Sequence, residues 1–236
     1  MQSNKRYDLR KICNIIIIFI IMPLVIYSGV TFLGDRKYYF ISIILAMLSC
    51  LPFFLRYEKK KPQPREIMTI AVMAAISVAG RILFAVIPGF KPVAAITAIT
   101  GIYLGAEAGF LTGALSAIVS NIFFGQGPWT PFQMFIWGLI GYVAGLLGKT
   151  GKMESKLSLT IFGVIAGILY SFGMDVWSVI SISGLFSIEA YVTALSTAIP
   201  FTIMYAISNV IFLLLLTKPI GEKLKRIKVK YNILNN

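Results

Sequence analysis

Two charged side chains sit deep inside apolar runs of this chain, Arg81 and Asp175. Within a bilayer such a charge costs about 2.5–3.5 kcal/mol on insertion scales, so it faces a cavity or a partner. Two readings stay open for the pair: an ion pair that fixes helix register, or one polar wall of a solute cavity. Asn121 and Gln133 add amides at a similar depth, and Trp129, Trp137 and Tyr170 add aromatic surface. Phe90, Lys91 and Gln126 stand in the two loops that flank these runs. Amides, one guanidinium and indoles are groups that hold a small molecule by hydrogen bonds and ring contacts. They are not a bond-breaking set.

The residues that are missing narrow the chemistry further. The chain has no histidine, which removes the Ser-His dyad, His-ligated haem and the HExxH zinc site. Cys13 and Cys50 lie in or beside apolar runs, where thiols pack as small hydrophobes. No Gly-x-x-x-x-Gly-Lys-Ser/Thr phosphate-binding loop occurs, so ATP hydrolysis of the P-loop kind is excluded. The expectation is a protein that is not an enzyme, with no metal and no cofactor of its own.

The elements that position these side chains are membrane spans. Hydrophobic residues make up 58% of the 236 and charged residues only 13%, a balance outside the soluble range. In lipid the backbone must satisfy its own hydrogen bonds, so an all-α integral membrane bundle is expected. Apolar runs separated by charged or Pro/Gly breaks place eight spans at 12–33, 38–55, 66–87, 92–105, 107–124, 131–148, 158–182 and 190–217. The fourth is too short to cross comfortably. The third and fourth are separated by Pro88-Gly89-Phe90-Lys91-Pro92, the fifth and sixth by Gly125-Gln126-Gly127-Pro128-Trp129-Thr130-Pro131. Proline stiffens these loops and glycine permits their turns, a composition suited to lids in which Phe90 and Trp129 cover an apolar ligand.

Charge sets the orientation. Eighteen of the basic residues fall in the N-terminal segment, the 56–65 linker, the 149–156 turn and the 218–230 tail, against Arg36, Lys37 and Lys91 on the other face. That bias puts both termini in the cytoplasm. It also accounts for the net charge of +13 without a nucleic-acid partner. The charged, proline-rich linker divides a two-span leader (1–64) from a six-span core (65–218), followed by a basic tail (219–236).

Small residues recur at helical spacing. Ala71, Ala75 and Ala79 make one face of the third span nearly flat, for packing inside the bundle or for docking a partner helix. Gly109 and Gly113, Gly141 and Gly145, and Gly163 and Gly167 are expected to pack internally. Asn209, on the inner side, is expected to make helix contacts.

Over 65–218 the chain resembles the substrate-binding (S) components of energy-coupling factor (ECF) transporters. The resemblance rests on the Ala71, Ala75, Ala79 face, on Phe90-Lys91-Pro92-Val93, and on the run from Asn121-Ile122-Phe123-Phe124 through Gly125-Gln126-Gly127-Pro128-Trp129 to Gln133-Met134. It implies a vitamin uptake system of a prokaryotic plasma membrane: solute bound at the outer face, an EcfT-like coupling protein, two ATPase subunits, and docking through Ala71, Ala75 and Ala79. It implies that the loops gate the site. The second run is most similar to members that take cobalamin, with other vitamins or nucleobase-like compounds still open. Metal-ion members use a histidine near the N-terminus, so nickel or cobalt uptake is disfavoured.

Two other function classes compete. An autonomous ion-coupled carrier needs a protonatable group near the midplane, and Asp175 is the one candidate. A non-transport scaffold needs no polar cavity.

Overall fold

The computed structural model describes residues 12–33, scattered positions between 44 and 51, 64–183 and 186–231. The span expected at 38–55 lies almost wholly outside the described residues, as does most of the linker. Seven helices follow: α1 (Met22–Leu33), entered through a π-helical turn at Ile17–Ile21, α2 (Pro64–Leu83), α3 (Val93–Leu104), α4 (Ala106–Phe124), α5 (Trp129–Lys149), α6 (Lys156–Ser183) and α7 (Ile188–Tyr231). No strand occurs among the described residues. Five of the helices, α2 and α4 to α7, are long and apolar enough to cross a membrane. The chain is a multi-pass membrane protein.

Three boundaries differ from the hydropathy reading, each for a local reason. The run expected to continue to 87 stops at Leu83, and Pro88 keeps the helix from resuming, because it disfavours helical geometry in the residue before it. The backbone instead turns through hydrogen bonds from Ile87 N to Phe84 O and from Phe90 N to Ile87 O. Phe84 and Phe90 then pack edge to face on each other and both contact Phe212 of α7. The short fourth run becomes α3, about 18 Å long at 1.5 Å per residue, well below a bilayer's thickness. All of its residues except Ile102 and Tyr103 are buried, so α3 is the central post of the bundle and not a lipid-facing span. Gly105 ends it with φ +105°, a conformation that other residues resist, and α4 begins at the next residue.

The third difference is α7, which runs on past 217 to Tyr231 through Pro200 and Pro219. Its length is about 66 Å, far more than the hydrocarbon requires. The basic stretch stays helical because it has something to pack on. Leu224 is buried, Gly221 lies against the Tyr103 ring so closely that a Cβ would meet it at 2.2 Å, and Lys225 Nζ sits 5.5 Å from that ring's centroid.

Close backbone approach holds the bundle together. A Cβ on Gly109 would meet Gly141 O at 2.5 Å, and one on Gly141 would meet Gly109 O at 2.4 Å, so α4 and α5 touch main chain to main chain. Gly163 and Gly167 do the same for α6 against Val210 and Ala206 of α7. Lipid tails are as apolar as leucine, so such van der Waals contact is what drives helix association in a membrane. The internal packing expected of these glycines is observed.

The leader helix joins the core on the α4/α5 side. Asn14 Nδ2 donates to Glu107 Oε1 at 3.2 Å, and Phe19 meets Tyr142 edge to face at 6.4 Å.

Candidate functional site

A cavity of about 220 Å³ opens where the 84–92 turn meets α2, α3, α5, α6 and α7. Arg81 enters from the last turn of α2, Lys91 from the loop, Gln133 and Trp137 from α5, Tyr170 from α6, and Tyr205 and Asn209 from α7. The cavity is therefore built from side chains more than a hundred residues apart in sequence. It carries two basic groups, two amides and an aromatic wall, with no carboxylate among the described residues of its lining.

Arg81 is the anchor. Its Nη1 donates to Ser120 Oγ and, at 2.7 Å, to Asn121 Oδ1, both on α4. The guanidinium carbon stands 4.6 Å from the Phe124 ring centroid and 5.1 Å from that of Trp137, in range for a cation–π contact. Its Nε is buried with no partner. An unsatisfied donor of this kind is costly to bury, and it belongs to a side chain that lines the cavity.

Asn121 extends the network. It is fully buried, and its Nδ2 donates to Thr130 Oγ1 at 2.8 Å and to Gln133 Oε1 at 2.9 Å. Gln133 Nε2 in turn donates to the Tyr170 hydroxyl at 3.3 Å. The Tyr170 ring stacks on Trp137 with centroids 5.2 Å apart and planes within 5°, and Tyr205 meets it edge-on at 4.9 Å. A chain of hydrogen bonds thus runs from the guanidinium to the aromatic wall and fixes the donors before any ligand arrives.

Lys91 is held by its backbone. Its N–H donates to Ser208 Oγ at 2.8 Å, and the same hydroxyl donates back to Lys91 O at 3.0 Å. Burial, and then the nearby Arg81 charge, lower the Lys91 pKa from its ordinary value. Gly89, also in the lining, holds φ +76° beside Met204 and Tyr205 of α7.

The structure brings together Arg81, Lys91, Gln133, Trp137 and Tyr170 of the residues singled out in the sequence. It does not bring the others into this cavity. Asn121 stands behind Arg81 as its support. Gln126 turns back into its own loop, with Nε2 donating to Ile118 O at 2.7 Å and Oε1 accepting from Thr130. The Trp129 ring lies over Gly127, where an added Cβ would meet it at 2.3 Å. Phe90 packs on Phe84 and Phe212.

Asp175 makes no ion pair with Arg81. The guanidinium spends its Nη1 on Ser120 and Asn121, while Asp175 Oδ2 is buried without a hydrogen-bond partner and borders a different cavity, between α6 and α7. The carboxylate considered for an ion-coupled carrier is therefore absent from the lining of the Arg81 cavity.

Tyr205 and Asn209 were not placed at the site from sequence. Asn209 does make the expected helix contact, donating to Gly163 O at 3.4 Å, yet it also lines the cavity. The signal was the spacing Tyr205-x-x-x-Asn209, which puts both on one face of α7.

The alanines of α2 lie elsewhere. Ala71, Ala75 and Ala79 are all exposed, in company with Met68, Val72 and Ile76, while the opposite face of the helix, at Ile70, Met73, Ala74 and Ser77, is buried. Among the described residues no group of three His, Cys, Asp or Glu side chains converges as a metal site.

The family model described as ECF-type riboflavin transporter, S component, matches residues 61–226. No curated protein and no solved structure matches the chain. The matched stretch holds every helix that frames the cavity and well over half of the sequence, so the chain belongs to this family of ECF S components, membrane-embedded substrate-binding subunits of transporters and not enzymes.

Proposed function

We propose that the protein captures riboflavin, or a close flavin analogue, at the outer face of the membrane for an ATP-driven uptake system. The observation that carries this reading is the flat Trp137–Tyr170 wall standing beside Arg81, Lys91, Gln133 and Asn209. A flavin has a planar ring with carbonyl and ring-nitrogen acceptors along one edge and a hydroxylated side chain. The wall suits the ring's face, the basic donors suit its acceptor edge, and the amides suit the hydroxyls.

Cavity size favours the same ligand over cobalamin. About 220 Å³ is modest beside ligand sites of roughly 300–1,000 Å³, and a corrinoid is much larger than a flavin. The 121–134 run, whose likeness pointed to cobalamin, turns inward: Asn121, Gln126 and Thr130 bond to one another and to Gln133 instead of lining a wide mouth.

The remaining parts of the reading follow from the family and the surface. The exposed Ala71, Ala75, Ala79 face supports docking to a membrane coupling protein that two ATPase subunits drive. The basic bias supports cytoplasmic termini, a plasma-membrane location and an outward cavity. Titration of the full-length protein in nanodiscs against riboflavin, thiamine and cobalamin tests the ligand, with riboflavin fluorescence as the direct readout. Saturable quenching by the protein with riboflavin alone is expected. Tight cobalamin binding without riboflavin binding overturns the assignment.

A further inference from the structure

A second cavity, about 620 Å³, lies between the far ends of α6 and α7. Its walls are mostly apolar, including Val179, Ile182, Ala194 and Phe201, and Asp175 borders it from α6. Asp175 is only 9% exposed, and its Oδ2 is buried without a hydrogen-bond partner. Among the described residues no lysine or arginine lines the space. A buried carboxylate facing no cation among the described residues is costly to keep ionised, and a cationic group from outside the chain relieves that cost.

The other polar atoms of this cavity are acceptors as well. Ser178 Oγ donates its proton to Met174 O at 3.2 Å, Thr193 Oγ1 to Glu189 O at 2.9 Å, and Thr197 Oγ1 to Thr193 O at 3.2 Å. Each hydroxyl has thereby committed its one proton to the helix backbone and keeps only lone pairs for a ligand. The cavity offers a carboxylate and hydroxyl oxygens to a polar head, and an apolar wall to whatever carries it.

We propose that this cavity is a binding site for a primary ammonium group carried on an apolar body. The ammonium supplies the positive charge that Asp175 lacks and N–H donors for the hydroxyl oxygens, and the hydrocarbon covers Val179, Ile182 and Phe201. The volume falls in the usual range for small-molecule sites. This chemistry is shared by a membrane aminophospholipid and by a free long-chain amine. The site is independent of the flavin assignment, because no residue lines both cavities.

The test uses the full-length protein in phosphatidylcholine nanodiscs, with decylammonium as the probe and decanol and decyltrimethylammonium as controls. Decylammonium is expected to bind saturably, and the two controls about tenfold more weakly or not at all, the scale of one lost charge-assisted hydrogen bond. Asp175→Asn is expected to weaken decylammonium to the level of decanol. Ala194→Phe fills the cavity from the opposite helix and is expected to do the same, which covers the case in which Asp175→Asn does not fold. Riboflavin titration of both variants should be unchanged. Native mass spectrometry after exchange into nanodiscs containing phosphatidylethanolamine separates the sources: retained lipid that Ala194→Phe releases assigns the site to the membrane, and binding of the soluble amine alone assigns it to a solute. Equal binding of decanol and decylammonium, or decylammonium binding unaltered in both variants, overturns the proposal.

Discussion

Asn121 accepts a hydrogen bond from Arg81 at 2.7 Å while its own amide nitrogen donates to Thr130 and Gln133, so one fully buried side chain ties α2 to the start of α5. Every polar hydrogen and the oxygen of that amide are engaged. The geometry of the cavity's donors therefore depends on a residue that does not line the cavity.

Asn121→Ala removes three hydrogen bonds at once and leaves Ser120 as the remaining hydrogen-bond partner of the guanidinium. Leaving buried partners unsatisfied costs about 1–3 kcal/mol each before relaxation, so a fall in thermal stability is expected. Riboflavin affinity should drop about tenfold or more, since Arg81 and Gln133 lose their fixed positions. Asn121→Asp restores the acceptor for Arg81 and should recover part of the affinity. Thermal unfolding and riboflavin titration of the two variants check this. Unchanged affinity in Asn121→Ala would show that Arg81 is held well enough by Ser120.

Ala75→Leu is expected to leave riboflavin binding within about twofold of the parent and to abolish uptake in cells that carry the coupling subunits. The side chain projects from the exposed face of α2, away from the cavity, and a leucine there holds helices apart that small residues let approach. Binding on purified protein and uptake in cells must be measured on the same variant. Loss of both together would place the face inside this protein's own packing.

How far these features were legible beforehand depends on the kind of signal. Hydropathy and breaks located the helices because each span is a property of a continuous stretch, and Ala71, Ala75 and Ala79 announced a flat face because their spacing is local. Arg81 stood out because charge in an apolar run is rare. The roles of Gln126, Trp129 and Asn121 were not legible, since whether an amide faces a ligand or its own loop is decided by contacts such as Gln126 to Ile118 O. Asn209 makes the helix contact expected of it, but its place in the cavity lining was not legible for a similar reason. Which residues of α7 reach the cavity depends on how that helix is rotated against α5 and α6, which spacing along α7 alone does not fix. The absence of an Arg81–Asp175 pair illustrates the same limit: matching depth does not determine which way two helices rotate.

Gly141→Leu should abolish folded protein. The added Cβ alone meets Gly109 O at 2.4 Å and Thr97 Cγ2 at 2.6 Å, and backbone cannot swing aside as a side chain tip can. Overpacking of this kind costs about 1–3 kcal/mol or more, and here it also separates α5 from both α3 and α4. Gly80→Ala is the milder comparison, because its Cβ meets the Pro92 ring of a loop. Detergent-extracted yield and the melting temperature should rank parent, Gly80→Ala, Gly141→Leu in falling order. A stable Gly141→Leu protein would mean that α4 and α5 do not touch at Gly109.

Alkaline pH should move stability and ligand affinity in opposite directions through Lys91. Its folded-state pKa lies below the unfolded value, first because of burial and then because of Arg81. Below the folded pKa both states are protonated and the full cost of burying the charge is present. As pH rises through the folded pKa toward the unfolded one, the folded state loses its proton first, the unfolded state holds more protons, and stability rises. The ligand-free melting temperature should therefore gain a small upward contribution over that interval. Riboflavin affinity should decline over the same interval, since the neutral amine is a weaker donor to a flavin's acceptor edge than the ammonium. Lys91→Met should flatten both trends, and its affinity at neutral pH should resemble that of the parent at high pH. Melting curves and titrations stepped from pH 7 to the alkaline side check the two signs together; affinity that rises with pH in the parent would remove Lys91 from the ligand's acceptor edge.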